Sequence, residues 1–192
     1  MTISPLIAHV ETYLGVLKSG WKNSRDNVQM PFQVIQTTEG AISGICCYST
    51  IGLSHFDLAS STSEKIIHQE LFIAVNDTFN PRNIPSILQG VGQQRLQFNT
   101  ALLRGQVIGP REGVVIADTI FSALYVAMPA YWPDQFATCK VDARSIVFAW
   151  LVPITATEAK FIDVHGWSAF EDTLCDTHID MCDLCRGEMT FK

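Results

Sequence analysis

The chain has 192 residues, 47% of them apolar and 17% charged, a balance that supports one large buried core and excludes a disordered chain. Thirteen Lys and Arg against nineteen Asp and Glu leave a net charge of −6, which repels phosphate backbones, argues against a nucleic-acid groove and suits a basic partner. The longest apolar run, Ile146–Ile154 with Pro153 inside it, falls well short of the ~20 residues that span a bilayer. No Lys or Arg precedes Lys18, so the positive segment of a secretory signal is missing and the expected location is the cytoplasm. Six cysteines in such a chain read as reduced, mostly buried thiols rather than a disulfide framework.

Ser4-Pro5 marks a helix start, and Leu6, Val10, Tyr13, Leu17 and Trp21 recur at helical spacing up to a stop near Ser19-Gly20. Phe32–Thr37 and Ile42–Thr50 are rich in β-branched and aromatic residues with Glu39-Gly40 between them, the pattern of two paired strands. Between Ile66 and Val75 a third strand is expected beside the second, with Ile67, Leu71, Ile73 and Val75 on one face and His68, Glu70, Phe72 and Ala74 on the other. After a turn at Asn80-Pro81-Arg82-Asn83, a helix through Ile84, Leu88, Val91, Phe98 and Leu102 is expected to reach about Arg104, weakened by Gly90 and Gly92. Thr119–Met128 and Ser145–Val152 are nearly continuous apolar runs of strand length, as expected for central strands covered on both faces. Pro129, Trp132 and Pro133 form a loop between them, and Ala156–Gly166 and Trp167 to about Arg186 read as closing helices.

This order of elements predicts an α/β (α+β) fold, a mixed central β-sheet flanked by helices in a single-domain sandwich. Residues 1–192 form one domain, with 1–30 as the N-terminal helix and its connection and 187–192 as a short tail; no repeat or linker divides it.

Four metal-capable side chains, Cys175, His178, Cys182 and Cys185, fall within eleven residues. On one continuous helix their offsets make a stripe whose ends lie ~15 Å apart, too far for one zinc ion, so a core-facing stripe is expected unless the helix breaks near Thr177 or Asp180. Cys46-Cys47 with His55 could pair a thiol with a general base, yet no basic cluster lies nearby to lower the thiol pKa. His68 and Glu70 share a strand face and read either as an acid-base couple or as a hydrogen-bonded structural pair. No phosphate loop and no nucleophile elbow occur. Thr155 and Glu158 have the spacing of a capping box at the start of the closing helix. No catalytic residue, cofactor or metal is therefore assigned.

Three segments carry a family resemblance: Tyr48-Ser49-Thr50-Ile51-Gly52-Leu53-Ser54, Gln69-Glu70-Leu71-Phe72-Ile73-Ala74, and Leu151-Val152-Pro153-Ile154-Thr155 with Glu158, followed by Asp183-Leu184-Cys185-Arg186. In order and spacing, over roughly Met30 to Arg186, they resemble the suppressor-of-fused-like domain. The resemblance implies a mixed α/β fold without a catalytic apparatus that acts by binding another protein. In small stand-alone bacterial members it implies an immunity protein or antitoxin that neutralises a co-encoded toxin, often a nuclease, whose basic surface an acidic chain would steer toward itself. Candidate partner-binding residues are His55 and Asp57 after the Gly-Leu-Ser turn, and Tyr131, Trp132 and Asp134 in the proline-flanked loop. The alternatives are a structural metal-binding module or a small Cys/His-dependent enzyme.

Overall fold

A computed structural model describes residues 4–24, 27–79 and 81–191; Asn80 of the predicted turn, residues 1–3 of the N-terminal region and Lys192 of the tail lie outside them. Helix α1 spans Pro5–Leu14 and buries Leu6, Val10 and Leu14, but it stops sooner than the apolar spacing predicts. Gly15 takes φ 98°, and a Cβ there would sit 2.2 Å from the carbonyl oxygen of Thr38, so the chain can cross the neighbouring strand only without a side chain. Leu17 and Trp21 then belong to β1, Val16–Asn23, an exposed edge strand whose residues matched a helical period without being helical.

Strands β2 (Gln29–Thr38) and β3 (Ile45–Ile51) pair antiparallel, as predicted. The two-residue β4 (Leu58–Ala59) and the long β5 (Ile66–Asn76) follow, with β3 antiparallel to β5. Helix α2, Ile84–Phe98, ends six residues before the expected Arg104, at Asn99 in the left-handed region with φ 48°. Beyond it the buried Gln69 side chain donates to the Leu102 carbonyl at 3.1 Å and accepts from the Leu102 N–H at 2.7 Å, which satisfies that backbone as a strand partner would and removes the drive to stay helical.

Short β6 (Val107–Ile108), β7 (Ala123–Ala127), β8 (Thr138–Val141) and β9 (Arg144–Ile154) complete the sheet. Its order is β1-β2-β3-β5-β9-β7-β6, with β4 beside β5 and β8 beside β9. The pair β5–β9 is parallel and the other ladders are antiparallel. β5 and β9 lie at the centre, as the apolar run Ser145–Val152 predicts for β9; the run Thr119–Met128, also expected to be central, becomes strand only from Ala123 and lies one place from the edge, because only short β6 pairs beyond it. The alternation in β5 also holds, because Leu71, Ile73 and Val75 enter one core with α2 and Phe72 and Ala74 enter the other with α1.

Helix α3, Ala156–Thr177, begins with the predicted capping box: the Thr155 hydroxyl accepts from the Glu158 N–H at 3.1 Å and the Glu158 carboxylate accepts from the Thr155 N–H at 3.0 Å. Gly166, with φ 83°, breaks it where two helices were predicted to meet, but the second part ends at Thr177 and not near Arg186. His178 turns left-handed at φ 52°. Asp180 and Asp183 then accept from the N–H groups of Cys182 and Cys185 at 2.9 and 2.8 Å, two successive Asx turns that replace helical hydrogen bonds. The whole is one mixed α+β domain of nine strands and three α-helices among the described residues.

Candidate protein-interaction surface

The connection from β3 to β5 is organised by one buried carboxylate. Glu70 is fully buried and its two oxygens accept from the Thr50 hydroxyl at 2.6 Å, the Gly52 N–H at 2.8 Å, the Ser54 N–H at 3.1 Å and the Ser54 hydroxyl at 2.7 Å. Burial pushes its pKa up, and the donors from Thr50, Ser54 and Gly52 oppose that shift. Gly52 takes φ 97° at the head of a single 3-10 turn, Leu53–His55, so the carboxylate clamps a turn that a side chain at Gly52 would strain. His68, two residues before Glu70 on β5, brings its Nδ1 to 3.1 Å from the Ser54 carbonyl and 3.7 Å from Asp57 Oδ1. The two side chains therefore converge on the same turn and hold it; the oxygens of Glu70 are saturated by donors, and His55 and Asp57 are displayed outside on the surface.

The thiol-base pairing considered from the sequence does not form. Cys47 is buried in the core near the start of β3, opposite Thr37, whereas His55 is exposed in the turn beyond the other end of that strand. Burial holds the Cys47 thiol well above its usual range, the reverse of what a nucleophile needs. The cysteine-rich segment also differs from expectation. Cys182 is fully buried, but Cys185 and His178 are exposed, the helix having ended at Thr177 before the predicted stripe is complete, and Cys175, still within the helix, is exposed too. Among the described residues no three His, Cys, Asp or Glu side chains are grouped to hold a metal ion.

A second buried carboxylate fixes the C-terminal segment. Glu158, inside its capping box, receives the Arg186 guanidinium at 2.6 and 2.9 Å and the Met189 N–H at 3.1 Å. Arg186 also donates to the Pro153 carbonyl at 3.2 Å and lies over the Phe121 ring. Pro153 has no N–H, and ladder pairing of β9 with β5 stops at Trp150. The C-terminal segment satisfies groups at both strand ends, since the Asn76 N–H donates to the Cys182 carbonyl at 2.9 Å. Sequence reasoning found Glu158 as a cap but not its partner 28 positions away; the acidic-to-basic Asp183–Arg186 segment was the available signal.

The proline-flanked loop carries the remaining candidates. Trp132 is 5% exposed and packs edge-on against Phe72 and Trp150, with centroids 5.1 and 5.5 Å away, so its indole caps the sheet from within. Tyr131 and Asp134 remain on the surface; the Tyr131 hydroxyl donates to the Ile179 carbonyl at 3.3 Å and accepts from the Met181 N–H at 3.2 Å, which ties the loop to the C-terminal segment. Between them opens a cavity of about 610 Å³, walled by Ala127, Trp150 and Val152 of the sheet, Leu174 of α3, and Tyr131 and Ile179. At its border Tyr125 donates to Glu171 at 2.6 Å and Arg104 binds Glu171 through two nitrogens. Burial pushes Glu171 upward, but those hydrogen bonds and the guanidinium charge outweigh it and hold the carboxyl below its usual range; Tyr125 is pushed up by burial and by the same carboxylate. No hydrogen bond or ion pair joins the His55–Asp57 turn to the Tyr131–Asp134 loop among the described residues.

Comparison with known proteins places this architecture. A suppressor of fused protein (SUFU) family model matches residues 29–187. The structure resembles that of a suppressor-of-fused homologue from Neisseria gonorrhoeae at 20% identity with TM-score 0.74, covering 98% of this chain and 96% of that one. It also resembles a chain of the Sufu-Fu complex at 15% identity with TM-score 0.62, covering 82% and 77% of the two chains. Against Drosophila Suppressor of Fused the identity is 15% and the TM-score 0.55; 79% of this chain is covered, and it spans 40% of the fly chain. No curated protein matches by sequence. The three motif segments thus fall, with Glu70, Glu158 and Arg186, inside the matched region, and the chain belongs to the suppressor of fused (SUFU) family.

Proposed function

We propose that this chain is a non-catalytic, cytoplasmic protein-binding domain that neutralises a basic partner, an immunity protein or antitoxin paired with a co-encoded toxin. The observation that carries the reading is the use of its buried ionisable groups: Glu70 and Glu158 are saturated by donors that shape a turn and a terminal segment. Groups consumed in this way are not free to transfer protons to a substrate. A fold relative found in the Sufu-Fu complex supports a protein as the ligand, and the net charge of −6 favours a cationic one through faster encounter. No helix among the described residues is long and apolar enough to cross a membrane, which fits a partner met in the cytoplasm. His55, Asp57, Tyr131 and Asp134 are the proposed contact residues; Trp132 supports the loop from beneath.

Expression of the products of adjacent genes, each with and without this chain, tests the reading in cells. Rescue of growth by the chain from one toxic product, with the two proteins co-purifying, is expected. Failure to protect against any toxic neighbour, together with absence of a stable complex, contradicts it.

A further inference from the structure

The cavity beside Tyr131 has a charge environment that folding alone does not explain. Glu171, Leu174, Cys175 and His178 border it from α3 and its C-terminal residue, the i, i+3, i+4, i+7 spacing of one helix face. Asp172 and Asp176 run along the adjoining stripe, exposed, and Asp180 stands at the rim. Between Trp167 and Glu188 lie Glu171, Asp172, Asp176, Asp180, Asp183 and Glu188 against the single Arg186, and Arg186 is already spent on Glu158. Arg104 answers only Glu171. The last turn of α3 holds no basic residue, and Asp172 and Asp176, like charges one turn apart, lie toward the negative end of the helix dipole. An apolar hollow of a size typical of ligand pockets therefore opens beside an acidic helix end: Asp180, which only the neutral donors of Asn76 and Cys182 meet, stands on its rim, and Asp172 and Asp176 lie on the stripe next to it.

We infer that this cavity docks a basic segment of a partner protein: one large apolar side chain enters between Trp150 and Leu174, and flanking Lys or Arg residues meet Asp172, Asp176 and Asp180. The inference rests on the protein-binding reading and narrows it to one face. The apolar anchor gains burial, and the cations relieve a repulsion present in the free protein, so both halves of the motif contribute.

Selection of random displayed peptides on the full-length chain tests this, followed by anisotropy titration of the most enriched peptide. Enriched peptides are expected to carry an aromatic or Leu residue between cationic ones. Their affinity should fall at least ~tenfold for Ala130→Trp or Cys175→Trp, which plug the mouth from exposed positions, and for the Asp172→Lys/Asp176→Lys double variant; thermal melts confirm that each variant folds. Peptides that bind both plugged variants as tightly as wild type, enrichment of acidic peptides, or no enrichment would overturn the assignment. A toxin partner that binds the plugged variants undiminished would overturn it too, while leaving the protein-binding reading intact.

Discussion

Two buried carboxylates, Glu70 and Glu158, meet the cost of desolvation in different ways. Glu70 relies on neutral donors, and its raised pKa fixes the sign of its effect on stability. The unfolded chain ionises first as pH rises, so wild type loses stability relative to Glu70→Gln between about pH 4.3, the usual Glu value, and the raised native pKa; denaturant titrations of both proteins across that range measure the divergence. Glu158 instead carries a cation, so Arg186→Met strands a buried charge and is expected to cost about 3–5 kcal/mol. Adding Glu158→Gln to it should cost less than the two single losses summed, a coupling that a double-mutant cycle in urea detects. Both acidic residues were visible in the sequence, Glu158 through its capping box and Glu70 through its strand position. Their partners were not, because hydrogen bonds from Gly52 and Ser54, or from a guanidinium 28 residues on, depend on how the chain returns in space.

At the scale of elements, the long apolar strands and the helix starts were legible because burial on both faces and capping leave local patterns. The ends were less so. α1 continues in pattern through Leu17 and Trp21, but the close crossing at Gly15 ends it; Gly15→Val is expected to destabilise by more than about 2 kcal/mol in a denaturant titration, since both the φ and the Thr38 carbonyl oppose a side chain. α3 keeps a helical stripe on paper up to Cys185, yet Asp180 and Asp183 cap their own turns. The short strands β4, β6 and β8 gave no signal of their own, being made by pairing with β5, β7 and β9. Thr155→Ala, which removes one half of the capping box, should cost roughly 1 kcal/mol.

Over the whole molecule, a sheet with a core on each face leaves its business to edges and loops. β1 exposes an edge, but Lys18 and Lys22 stand on it and two register shifts interrupt its pairing with β2, devices that discourage further strand pairing. The surface proposed to dock a basic segment lies around Tyr131 and the acidic end of α3, where the sequence marked Tyr131 as a loop aromatic and Cys175 and His178 only as possible metal ligands. The fold could be read from periodicity and motif order; the cavity could not, because it is built from β7, β9, α3 and the C-terminal turns together.

The most direct measurement is a calorimetric titration of the purified chain with the protein partner that the growth-rescue test identifies, at ~0.1 M and ~1 M salt. A stoichiometric complex that weakens at the higher salt, with no chemical change in the partner, is the predicted result. Turnover of the partner, or affinity indifferent to salt, would contradict an acidic binding domain without catalysis.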